Sequence, residues 1–275
     1  MKMNRKIKIG IVGCGAIGAS LAKAIVSNFS NDARLVALYD IERIKSERLS
    51  QSLSNKGLVK ADLTGLIKYS DLVIECASSL HSWNIAKRTL IRGRDIMIMS
   101  VGGLISRLPA LTKLADKHAA RVYIPSGAIS GIDALKAAKL SGIKSITLAT
   151  RKHPLSFKGV KYIKEKRIAL DKIRGERVLF SGAASEAVKY FPQNINVAAV
   201  LSIAGIGKKK TRVRIIADNR VKRNIHEIRI ESRAGNIITR TENVLHPDNP
   251  KTSYLAVLAA VATLKQIFEP VRIGT

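Results

Sequence analysis

The sequence predicts an α/β protein in two parts: a doubly wound parallel sheet, then a second α/β domain built on a mostly antiparallel sheet. Three observations carry this. Residues 1–125 alternate short apolar, β-rich runs with helical stretches, the order that builds a parallel sheet with helical crossovers. The run Gly13-Cys14-Gly15-Ala16-Ile17-Gly18 falls between the first strand and the first helix. After Ser126 the pattern turns to period-two alternation, which suits an antiparallel sheet with one wet face.

The elements follow in order. Residues 7–12 form a short strand, and 16–28 place Ile17, Leu21, Ala24 and Ile25 at helical spacing. Residues 34–40 read as a second strand and 41–53 as a charged helix. Residues 71–76 are a third strand, followed by a helix over 83–91. Residues 95–101 are a strand ending in Gly102-Gly103. A helix over 104–120 is expected to break or kink near Pro109, because proline removes a backbone donor and crowds the preceding turn. The strand at 121–124 stops at Pro125. Beyond it, strands are expected at 145–150, 211–216, 225–230 and 236–241, with helices at 185–191 and 196–206. A last helix, 252–268, is apolar enough to pack on more than one side. The expected division is therefore 1–125 and 126–249, with 250–275 returning to the first domain.

Composition narrows the class. Hydrophobic residues make up 46% of the 275, enough apolar surface to exclude a disordered basic tail. Two cysteines, Cys14 and Cys76, cannot make a disulfide scaffold. The charged start runs into a glycine-rich strand and turn rather than a secretory apolar stretch. The longest nearly apolar run, residues 254–264, is too short for a bilayer. A cytoplasmic protein with no membrane partner is expected. The formal net charge is +28, concentrated in 151–176 and 208–223. Aromatic residues that stack bases are sparse there, apart from Phe157 and Tyr162. A solvated basic face is thus preferred over a nucleic-acid site, with non-specific binding at most.

The glycine run matches G-x-G-x-x-G in its required setting of strand before and helix after. Gly13 permits the tight turn, Gly15 lets a pyrophosphate approach the backbone, and Gly18 lets helix pack on strand. Ala16 and Ile17 begin the helix whose free N–H groups would face the phosphates. Asp40, about 20 residues on at the end of the next strand, is placed to bond ribose hydroxyls. It would repel a 2′-phosphate, which favours NAD; Arg43 nearby keeps NADP open. The first domain is therefore read as a Rossmann dinucleotide-binding domain, with Gly13, Gly15, Ala16, Ile17, Gly18, Asp40 and Cys76 in its cofactor site.

The substrate is left to the second domain. Residues 126–275 contain no cysteine, which argues against thiolate catalysis there. The five histidines are widely separated and no Cys pair exists, so no metal site is expected. His226 stands on the same strand face as Ile228 and Ile230, opposite Glu227, Arg229 and Glu231. It is either a satisfied core histidine or a group aimed into a cleft. His246, before Pro247, is expected in an exposed turn. Asn196, at the entrance of an apolar helix, is either an N-cap or a ligand contact.

These residues resemble one known family, the L-aspartate dehydrogenases, over nearly the whole chain. The resemblance rests on Gly13 to Gly18, Ser100-Val-Gly-Gly103, Pro125-Ser-Gly-Ala-Ile129, Asn194-Ile-Asn-Val-Ala-Ala199, the strand carrying His226, and Asp248-Asn-Pro-Lys-Thr-Ser253. The last four are more specific than the glycine loop. The resemblance implies a homodimer supported by the second domain's sheet, with His226 catalytic and Ala128 and Asn196 touching the cofactor. The implied reaction takes L-aspartate and NAD(P)+ to iminoaspartate, then to oxaloacetate and ammonia or onward to NAD biosynthesis. Other Rossmann amino-acid or dicarboxylate reductases, such as those acting on homoserine or a dihydropyridine dicarboxylate, or a non-catalytic basic NAD-binding or nucleic-acid-binding module, are the alternatives. An imidazole with a pKa near 6.5 suits the required base. Asn194, Lys251, Thr252 and Ser253 are candidates for the substrate, Lys251 for a carboxylate; its alternative is a helix cap away from substrate.

Overall fold

The computed structural model describes residues 5–191, 196–247 and 249–274, the side chains of Pro250 and Lys251 excepted. The chain divides into two units, Met1–Pro125 with Val257–Arg272, and Ser126–Ala256 with Ile273–Thr275. The division falls inside the last helix.

In the first unit β1 (Ile7–Val12), α1 (Ala16–Asn28), β2 (Ala33–Tyr39), α2 (Arg43–Ser52) and α3 (Leu63–Tyr69) come first. They are followed by β3 (Leu72–Glu75), α4 (Ser82–Ile91), β4 (Asp95–Ile98), α5 (Leu108–Lys117) and β5 (Val122–Tyr123). The strands pair in the order β2-β1-β3-β4-β5, and every pairing is parallel. Strands covered on both faces have no reason to alternate, and all four residues of β3 are buried. On one face Leu21 and Ile25 of α1 pack with Ile9, Ile74, Ala260 and Leu264. On the other, Leu66 and Ile67 of α3 pack with Val73, Ile85 and Leu90. Phe29 and Phe268 meet edge to face with centroids 5.3 Å apart, so residues 257–272 contribute to this core. Truncating one such buried Leu to Ala costs about 2–5 kcal/mol.

Pro109 does not kink a long helix. A 3₁₀ turn over Val101–Leu104 precedes a separate α5 with Pro109 in its first turn, where the missing N–H has no helical partner to lose. Helix α3, unread in the sequence, is fixed by Asp62, whose carboxylate accepts the Gly65 N–H at 2.7 Å.

The second unit holds α6 (Ile132–Ser141), β6 (Ile143–Lys152), α7 (Lys161–Glu165), β7 (Glu176–Ala183), α8 (Ala184–Tyr190) and α9 (Asn196–Ala204). It continues with β8 (Arg212–Asp218), β9 (Asn224–Ser232), β10 (Gly235–Asn243), β11 (Leu245–His246), β12 (Asn249–Ser253) and the start of α10 (Tyr254–Phe268). The main sheet runs β10-β9-β6-β8-β7. Only β6 and β8 pair in parallel; the other pairings are antiparallel. Period two is plain in β9, where Ile228 and Ile230 are buried and Arg229 and Glu231 exposed. The last helix begins at Tyr254 rather than 252, because Asn249–Ser253 pairs with β11 as a small hairpin.

Candidate active site

The first unit gathers its polar chemistry at the carboxyl ends of its strands, where open α/β sheets bind ligands. Gly13 has φ +93°, and a Cβ there would stand 2.5 Å from the Cys76 backbone. A Cβ on Gly18 would come within 1.9 Å of the Gly13 carbonyl oxygen. Gly15 differs: nothing lies within 4 Å of its would-be Cβ. It is the N-cap of α1, with no side-chain cap bond and no acid in the first turn. Ala16 and Ile17 form that first turn. The loop therefore presents open backbone N–H groups and free space where a pyrophosphate needs both. A cleft of about 430 Å³ is lined by Gly13, Gly15, Asp40, Cys76, His81 and Arg88, among others. The residues present fit a dinucleotide.

Asp40 ties this loop to β2. Its carboxylate accepts the Cys14 N–H at 2.7 Å and the Glu42 N–H at 2.9 Å. Beside it, burial and the Asp40 charge push the Cys14 thiol up to about 12. Burial, Glu75 and Cys14 likewise hold the Cys76 thiol well above its ordinary value. Neither is a nucleophile near neutral pH. Glu75 is fully buried and accepts the N–H groups of Ala77 at 2.8 Å and Ser100 at 3.0 Å. It thereby clamps the loops that follow β3 and β4. Burial pushes its carboxyl up to about 7, against the lowering effect of the hydrogen bonds from Ser100, Ala77 and Met99.

The second unit assembles a polar cluster at one end of a mostly apolar sheet face. In the register of the sheet, Thr150 and Thr241 stand directly across from His226 on its two neighbouring strands. His226 is 3% exposed, and its Nδ1 lies 3.0 Å from Thr150 Oγ1. Thr241 donates its hydroxyl to the Ala128 carbonyl at 3.2 Å, and Asn243 Nδ2 donates to the same oxygen at 2.9 Å. Ala128 is thus latched to β10 beside the His226 row. Asn224, on the His226 face, donates to Ser253 Oγ at 3.2 Å. Lys152, two residues beyond Thr150 on β6, is also buried. Burial brings its ammonium down to about 8. Burial and the positive field of Lys152 push His226 down to about 3, far from the ordinary value expected of it. The imidazole is therefore neutral at pH 7, and in this setting without substrate it is a weaker base than a free imidazole.

The other expected residues fall as follows. Asn196 is the first residue of α9 and exposed. Thr252 and Ser253 belong to β12, ahead of the helix whose N-terminus they were expected to form. Lys251 is on the same strand, its side chain outside the described residues, and Asn194 lies outside them too. His246 is not in an exposed turn: it is buried on β11, with its ring centroid 5.6 Å from that of Tyr254. Lys152 and Thr150 were missed. The signal was present, since period two puts both on the face of Ile146 and Leu148. Among the described residues no cluster of His, Cys, Asp and Glu could hold a metal ion.

Comparisons with known proteins agree with this architecture. The model described as "Aspartate dehydrogenase, C-terminal" matches residues 133–267, and "Homoserine dehydrogenase, NAD binding domain" matches 13–125. A curated L-aspartate dehydrogenase of Methanococcoides burtonii is 47% identical, over 98% of this chain and all of that protein. Another, from Nitrosopumilus maritimus, is 40% identical over 98% of this chain and 99% of its own length. The crystal structure of aspartate dehydrogenase from Thermotoga maritima superposes with a TM-score of 0.75 at 27% identity, covering 98% of this chain and all of that one. With glycine loop, polar sheet end and near-complete coverage in agreement, the chain belongs to the L-aspartate dehydrogenase family of NAD(P)-dependent oxidoreductases.

Proposed function

We propose that this protein oxidises L-aspartate at the expense of NAD(P)+, giving iminoaspartate that hydrolyses to oxaloacetate and ammonia or enters NAD biosynthesis. The observation that carries the reading is His226: a neutral imidazole beside Thr150, in a polar cluster at one end of a buried, mostly apolar face. The dinucleotide, when bound, supplies the hydride acceptor. The reaction also asks for a group that removes a proton from the substrate ammonium or from the attacking water, and for cations or donors that hold two carboxylates.

His226 is assigned the proton. The assignment takes the tautomer protonated at Nδ1, in which Nδ1 donates to Thr150 Oγ1, 3.0 Å away, and Nε2 keeps its lone pair. Gly13, Gly15, Ala16, Ile17 and Gly18 are assigned to the pyrophosphate, Asp40 to the adenosine ribose, and Cys76, Ala128 and Asn196 to the rest of the dinucleotide. Asn194, Lys251, Thr252 and Ser253 remain assigned to the substrate, with Ser253 supported by its bond to Asn224. We further assign a homodimer and a cytoplasmic setting; both described cysteines are unbridged, which supports a reducing compartment.

The test is a panel of amino acids with NAD+ and NADP+, read as absorbance of the reduced cofactor. L-Aspartate should reduce NAD+, and L-homoserine should not. A protein that ignores aspartate and oxidises homoserine would move the reading to the homoserine enzymes.

A further inference from the structure

We propose that Lys152 is the cation that receives one carboxylate of the substrate, next to the proton acceptor His226. This rests on the reading just given and deepens it.

The argument starts from the sheet. On the covered face, β6 presents Ile146 and Leu148, β9 presents Ile228 and Ile230, and β8 presents Val213 and Ile215, all buried. Further along the same face the residue types turn polar on β6, β9 and β10, while β8 stays apolar at Ile215 and Ala217. Thr150, His226 and Thr241 form one row across three strands, and Asn224 and Asn243 pair in the next. Lys152 lies on β6 opposite Ala217, two residues past Thr150, and so on the same face. It is only 7% exposed. Lysine on a half-buried strand ordinarily runs its stem along apolar surface and keeps its ammonium in water. Here the residue is buried as a whole, two positions beyond the Thr150 that faces His226 across the ladder.

That placement has two chemical consequences. A carboxylate reaching Lys152 would make a charge-assisted hydrogen bond in a low-dielectric setting, stronger than the same bond on the surface. The same carboxylate would offset the positive field on His226. The imidazole would then bind a proton more readily when substrate is present than when it is absent. One residue thus couples recognition of an acidic substrate to the basicity of the group that deprotonates it. Lys251, the earlier candidate, is not required for this step.

The test uses the full-length enzyme with Lys152→Met, Lys152→Gln and Lys152→Arg, and reads NAD+ affinity by calorimetry with KM and kcat for L-aspartate. Loss of a charge-assisted bond predicts that Met and Gln raise KM for aspartate on the order of 10²-fold. NAD+ affinity should stay within about threefold, and Arg should recover part of the loss. The inhibition constant of a four-carbon dicarboxylate lacking the amine should rise in parallel. Wild-type KM in Lys152→Gln overturns the proposal. So does a Lys152→Gln protein that no longer binds NAD+, because the ammonium would then serve folding. A wild-type enzyme inert toward aspartate overturns the family activity instead, which keeps the two failures apart.

Discussion

Thr150 Oγ1 and His226 Nδ1 lie 3.0 Å apart across the β6–β9 ladder, both side chains buried on the same face. The pairing fixes the ring's orientation through a residue that never titrates. Which nitrogen remains basic depends on the direction of this one bond. If Nδ1 donates, Nε2 accepts, and only that arrangement makes a base of the outer nitrogen.

His226→Ala should therefore lower kcat by about 10²–10⁴ with little change in NAD+ affinity. Thr150→Val keeps the shape of the side chain and removes the acceptor for Nδ1–H. It should lower kcat by about tenfold, the scale of one hydrogen bond. Steady-state kinetics on both variants checks this. Undiminished kcat in His226→Ala would remove the residue from the mechanism, and undiminished kcat in Thr150→Val would leave the hydroxyl a packing group only.

Glu75 and His226 should shape stability against pH in opposite senses. Glu75 moves from 4.5 to about 7 on folding, so between those values the folded state holds the extra proton. Its contribution is most favourable below about pH 4.5 and is lost as pH rises through 7, by about 3 kcal/mol in all. His226 moves from 6.5 down to about 3, so there the unfolded chain holds the extra proton. Its neutral burial favours folding less and less as pH falls below 6.5. Denaturant unfolding from pH 5 to 8 should show Glu75→Gln gaining relative stability toward pH 8. His226→Gln should gain it toward pH 5. Flat differences for either variant would mean that its parent group titrates as it does in water.

The parallel sheet was legible because β1, β3 and β4 are nearly unbroken apolar runs separated by helical spacing, and burial on both faces needs nothing more. Strand β7 was not: Glu176, Arg177 and Val178 are all exposed, and only Leu179 and Phe180 turn inward, so no alternation announces an edge strand. His246 was misread because Pro247 signals a turn, while the ring's packing on Tyr254 depends on a hairpin that spacing does not disclose. Asp40 could be found as an acid at a strand end. Its bond to the Cys14 N–H could not, since a long-range bond leaves no periodic trace. Lys152 is the instructive miss. A lysine at the end of a strand reads as solvated, although period two puts it on the face of Ile146 and Leu148; only the register that sets Thr150 against His226 brings that face to the imidazole.

Two glycines of one loop should respond to the same substitution in opposite ways. At Gly18 a methyl group would sit 1.9 Å from the Gly13 carbonyl oxygen. Backbone cannot yield as a side-chain tip does, so α1 must shift from β1, and Gly18→Ala should destabilise the fold by several kcal/mol, on the order of other overpacked sites. At Gly15 the same methyl meets nothing within 4 Å. Gly15→Ala should therefore leave the melting temperature within about 2 °C, since the flexibility removed from the unfolded chain and the poorer N-cap that alanine makes for α1 oppose each other. The methyl would instead occupy the space assigned to the pyrophosphate, and NAD+ affinity should fall by about tenfold or more. Thermal melts with and without NAD+ read both effects: Gly18→Ala should melt early in either condition, whereas Gly15→Ala should melt normally and lose the shift that NAD+ gives the wild type. A Gly15→Ala protein that keeps the full shift would place the pyrophosphate away from this loop.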